Sequence, residues 1–206
     1  MIVLDNLDEK IYPSIGHSSP AKYVLETFGG LNCTDTDKLV YENFSSCWLG
    51  RVPELDKVKY PATFSYVEDE KNKDTLKMQE EMKNVEIYIP KGQHLFHGGV
   101  FPKNPKIGDQ IITISMFSTT IDSYTASMHA IQEEPKNLWV IKLNEDTRAL
   151  PLSIDGMEES EVLVFSPLNL EIVGIEKIFK ENNFGNKIEM DVIFLETIKE
   201  KLTALN

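Results

Sequence analysis

The sequence changes texture at Asn84, and no other feature constrains the fold as strongly. Before that point the signals are helical. Ser19-Pro20 offers a capping hydroxyl and a residue suited to the first helical position ahead of AKYVLETF, and Gly29-Gly30 stops the run. A second helix is expected from Asp35 or Thr36, because Val40, Phe44, Cys47 and Trp48 recur at helical spacing on one face, and Gly50 ends it. The run EDEKNKDTLKMQEEMKN mixes both signs of charge and reads as an exposed loop leading into a solvated helix. After Asn84 come short β-rich stretches: VEIYIP, HLF, QIITISMFSTT, LWVIKL, EVLVF, LEIVGI and KIEMDVIFLE. Only SYTASMHAI interrupts them as a helix. Helices followed by a run of strands predict an α+β protein, one domain over 1–206 with a mainly helical part (1–84) and a β-rich part (85–206) built as a largely antiparallel sheet or two packed sheets.

Charge narrows the function. With 33 Asp+Glu against 21 Lys+Arg, the net charge is -12, which argues against a broad phosphate-tracking surface and hence against bulk binding to nucleic acid. Only Arg51 and Arg148 are arginines, so a bidentate phosphate clamp could come only from those two positions; any other phosphate contact falls to lysine. Cys33 and Cys47 form no CxxC pair and specify neither a zinc site nor a disulfide framework, which points to a reducing, cytoplasmic setting. The start, MIVLDNLDEK, meets charge too soon to read as a signal peptide or a membrane anchor.

Three short pieces could carry chemistry. His97-Gly98-Gly99 ends one strand, Phe117-Ser118-Thr119-Thr120 ends another, and Glu159-Ser160-Glu161 begins a third. In an extended segment Glu159 and Glu161 point to one face, an arrangement in which one carboxylate stabilises a developing charge while the other orients a nucleophile. Singly, each piece also fits a surface strand end. His94 and His97 fall on opposite faces, so they are not a metal pair, and no metal is expected. No G-x-S-x-G elbow, G-x-G-x-x-G or P-loop is present.

Together, in this order and spacing, LFHGG, FSTT and ESEVLV resemble the mono-ADP-ribosyltransferase superfamily, and within it the arginine-modifying clade with its aromatic-Arg-Gly, Ser-Thr-Ser and Glu-x-Glu motifs. Size and layout are also similar to the small transferases of T-even bacteriophages. The resemblance implies an NAD cleft between two packed, mostly antiparallel sheets, and an enzyme that uses NAD as substrate. It implies Glu161 as the catalytic carboxylate, Glu159 as the group that polarises the acceptor, and Ser118 as the support of Glu161 and the nicotinamide side. His97, Gly98, Thr119 and Tyr124 complete the NAD contacts, with Gly98 offering its backbone to the carboxamide and Tyr124 stacking on the ring. Two residues depart from the clade: His97 stands in place of Arg, and Thr120 in place of the last Ser. Lys103 or Lys106 is then expected to meet the phosphates. The implied acceptor is arginine on a target protein, acted on by a monomer without membrane attachment. The charge disfavours RNA. An NAD glycohydrolase, or a decayed transferase fold that only binds a partner, stays open as an alternative.

Overall fold

The computed structural model describes residues 1–27, 34–52, 57–69, 71, 73–100, 104–113, 116–152, 160–165, 167–181 and 187–199. The helical part comprises α1 (Asp8–Ser14), α2 (Pro20–Thr27), α3 (Thr34–Asn43), α4 (Pro61–Glu68) and α5 (Thr75–Glu81), preceded by a two-residue strand β1 (Ile2–Val3). The expected Ser19 cap is present, its hydroxyl accepting from Lys22 N at 3.2 Å. α3 runs on through a π turn (Phe44–Trp48) and a 3₁₀ turn (Leu49–Arg51), so Gly50 does not end it. Val40, Phe44 and Trp48 are buried as their spacing predicts.

The charged run after Glu68 differs from its expected solvated form. Met78 and Met82 are fully buried, and Glu81 turns back to cap α4, accepting from the amides of Ala62 and Thr63 and from the Thr63 hydroxyl at 2.6–2.9 Å. Two methionines at i and i+4 suffice to fix one face, because a thioether chain fills an irregular gap with little strain.

The β-rich part contributes β2 (Ile87–Ile89), β3 (His94–Gly98), β4 (Gln110–Thr113), β5 (Phe117–Thr120), β6 (Asn137–Lys142), β7 (Thr147–Pro151), β8 (Glu161–Val164), β9 (Leu168–Glu181) and β10 (Lys187–Thr197), with α6 (Ser123–Ala130) between β5 and β6. The ladder runs β1-β2-β7-β8-β5-β3-β6-β10-β9-β4, mostly antiparallel, with parallel pairs at β1/β2 and β6/β10. Among the described residues β5 and β3 share only the pair Phe96↔Thr120, whereas their neighbours share several, so the ten strands fall into two five-stranded halves joined at one point. Both halves bury side chains in one core with α1, α3, α4 and α5, including Leu95, Ile141 and Ile193 from one half and Ile87, Leu150 and Leu163 from the other. The opposite face of β3, β6 and β10 holds a smaller core with α2 and α6, formed by Val24, Phe96, Ala126, Leu138, Val140 and Val192. This is the expected α+β architecture.

Candidate active site at the junction of the two halves

The junction forms where β3 and β5 part. Gly99 N donates to Asn137 O on β6 at 3.3 Å; by strand alternation the Gly98 amide and carbonyl face the β5 side instead, where the ladder with β5 does not continue. A side chain crosses this gap. His97 Nδ1 lies 2.8 Å from Ser118 O. A carbonyl can only accept, so Nδ1 carries the proton, and in the neutral ring Nε2 remains an acceptor. Burial is the main cause that lowers the His97 pKa from 6.5 to about 4, with His129 and Lys73 adding repulsion and the Ser118 carbonyl opposing. The imidazole packs against Phe117 (centroids 4.5 Å apart) and edge-on to Trp139 (5.2 Å).

The two glycines are explained by close packing. A Cβ on Gly98 would lie 1.9 Å from Ala126 O and 2.5 Å from Ala130 N, so only glycine lets α6 sit on β3. A Cβ on Gly99 would lie 2.5 Å from His97 Nε2, so that residue leaves room for the ring. α6 itself starts at Asp122, whose carboxylate accepts from the Tyr124 and Thr125 amides at 3.0 and 3.1 Å.

Glu161 opens β8, in which all four residues are buried, and is itself 5% exposed. A carboxylate at such a place is costly unless hydrogen-bonded. Its Oε1 accepts from Ser118 Oγ at 2.6 Å and from Tyr66 Oη at 2.5 Å. Ser118 thus serves both neighbours, with its carbonyl to His97 and its hydroxyl to Glu161. Before Glu161 stands Ser160, with φ +48°. The expectation that Glu159 and Glu161 share a face of an extended segment concerns Glu159, which lies outside the described residues.

His97, Ser118 and Glu161 therefore converge as the sequence predicts. Thr119 points to the other face of β5, and its hydroxyl donates to Val162 O at 2.8 Å, bracing β8. Tyr124 is half-buried in the first turn of α6. Glu159 and Lys103 lie outside the described residues. Lys106 precedes the edge strand β4, separated from β3 by β6, β10 and β9 in the ladder. His94 plays a different part, its Nδ1 and amide meeting Asp8 Oδ2 at 2.8 and 2.6 Å and so tying β3 to α1. Tyr66 is not foreseeable from sequence, since one tyrosine in PATFSYVEDE carries no motif.

The two-half sheet with helices ahead of it is the fold of the ADP-ribosyltransferase toxins. Among solved structures it is similar to the enzymatic component C2-I of the Clostridium botulinum C2 toxin, at pH 3.0, with 16% identity over 80% of this chain and 47% of that one and a TM-score of 0.53. It is also similar to BECa, the ADP-ribosylating toxin of a binary enterotoxin of C. perfringens, solved with NADH, with 19% identity over 81% of this chain and 48% of that one and a TM-score of 0.51. The chain spans about half the length of these proteins. No protein-family model and no curated protein sequence matches it.

Proposed function

We propose that the protein is an NAD-dependent mono-ADP-ribosyltransferase that moves ADP-ribose from NAD to a target protein, with arginine as acceptor and nicotinamide as leaving group. The observation that carries this reading is the Glu161 carboxylate, buried at the sheet junction and held through Oε1 by two hydroxyls. The shared fold, in one case solved with NADH, supports NAD as the substrate.

In this reaction the bond between ribose C1′ and the nicotinamide nitrogen breaks, its electron pair neutralises the pyridinium, and positive charge develops on the ribose. A fixed carboxylate in a dry site stabilises that charge where it appears, and Glu161 takes this part. Ser118 and Tyr66 hold its orientation. His97 Nε2, the free acceptor of a neutral ring, accepts from a ribose hydroxyl. The Gly98 amide and carbonyl, facing the gap, take the carboxamide, and Tyr124 stacks on nicotinamide. Glu159 orients the guanidinium, whose nitrogen bonds to C1′ and releases a proton.

The test is nicotinamide release from labelled NAD, wild type against Glu161→Gln, with and without lysate protein. Release that needs lysate and puts label on protease-sensitive product is the expected result, and Glu161→Gln should lower the rate ~100- to 1000-fold. Release without any acceptor would make the protein a glycohydrolase. RNase-sensitive label would move the acceptor to RNA. No release, or equal release by Glu161→Gln, would overturn the enzymatic reading in favour of a binding module.

A further inference from the structure

We infer that Lys73, in the segment between α4 and α5, is the cation that receives the diphosphate of NAD; this rests on the NAD reading above. The diphosphate carries two negative charges into a chain of net charge -12, which favours a local cation beside it. Of the two lysines expected at the phosphates, Lys103 lies outside the described residues and Lys106 precedes the far edge strand β4, and neither arginine can supply the charge. Arg148 donates to the carbonyls of Met82, Lys83 and Val85 and lies 4.9 Å over the Phe165 ring. Arg51 donates to Val3 O and Asp5. His97, the basic residue of the LFHGG stretch, is neutral at physiological pH, with its one N–H given to Ser118 O.

One distance sets the Lys73 ammonium on the helical side of the site, against the tyrosine that holds Glu161. Its Nζ lies 5.5 Å from the centroid of Tyr66, the ring whose hydroxyl reaches Glu161. Its charge is also a minor cause of the lowered pKa of His97, after burial and His129. Lys57 and Lys77 are paired with carboxylates, with Glu68 at 3.0 Å and with Asp74 at 2.9 Å. The Asp74 pairing matters most, because Asp74 is the neighbour that would otherwise compete for Lys73. Among the described residues Lys73 makes no ion pair with a carboxylate, and its flexible stem can meet a phosphate without rearranging the sheet.

The experiment is titration calorimetry of NAD and of nicotinamide riboside, which lacks the diphosphate, against wild type, Lys73→Gln, Lys73→Arg, Lys71→Gln and Glu161→Gln. Lys73→Gln should weaken NAD about tenfold or more, the scale of one hydrogen bond between charged groups, while riboside affinity stays unchanged. Lys73→Arg should restore NAD binding, and Lys71→Gln should leave it at the wild-type value. NAD affinity within twofold of wild type in Lys73→Gln would overturn the assignment, as would an equal loss in Lys71→Gln, which would mean a diffuse field. The NAD reading fails separately: in that case wild type and Glu161→Gln bind no NAD at all, and the assignment of Lys73 falls with it.

Discussion

Tyr66 and Glu161 stand 95 residues apart in sequence and are joined by a 2.5 Å hydrogen bond, its donor on a helix and its acceptor on the first residue of a buried strand. The bond makes the helical part a component of the site and not only a cover for the core. Tyr66→Phe keeps the ring in place and removes the hydroxyl, while the Ser118 bond to Oε1 stays. Its kcat for nicotinamide release is expected to fall about tenfold with KM for NAD unchanged, a split visible in steady-state kinetics. An unchanged kcat would reduce the bond to a packing contact.

Gly98→Ala should destabilise the fold by roughly 1–3 kcal/mol or more, because the new Cβ meets the main chain of α6 and neither backbone can yield cheaply. Denaturant unfolding measures this directly. Gly99→Ala should cost less stability, since its Cβ meets the end of the His97 side chain, and it should weaken NAD instead.

Stability should fall with acid through the window set by His97. Its folded pKa of about 4 lies below the ordinary 6.5, so the unfolded chain takes up a proton first. The contribution is therefore complete above pH 6.5 and is lost as the pH drops toward 4. At ~1.4 kcal/mol per pH unit it amounts to at most about 3.5 kcal/mol. Comparing wild type with His97→Gln between pH 7 and 4.5 isolates it, because Asp8, whose pKa burial raises, acts alike in both proteins. A decline equally steep in His97→Gln would remove His97 as its cause.

Arg148→Lys should lower stability by about 2 kcal/mol, since an ammonium cannot reach three carbonyls of the α5–β2 connection at once. NAD affinity should be unaffected. A loss of NAD binding with intact stability would make this arginine a phosphate contact after all.

Element types, and the three residues that meet at the sheet junction, are legible in the sequence. The cap at Ser19, the apolar spacing from Val40 to Trp48 and the β-branched runs after Asn84 are local signals, and local signals survive without tertiary context. The convergence of His97, Ser118 and Glu161 was readable because motif order carried it. Three features depend on the fold alone. The stretch QIITISMFSTT divides into β4, which pairs with β9, and β5, which pairs with β3 and β8, although its composition is uniform. Ser160 turns left-handed at the entry to β8, which the β-rich composition of the stretch does not signal. Tyr66 reaches Glu161 only because α4 and α5 pack on the shared core through Tyr66, Met78 and Met82, and no spacing along the chain encodes a contact across 95 residues. Periodicity reports which face of an element is buried; what it is buried against is set by how the two halves of the sheet part at Phe96 and Thr120.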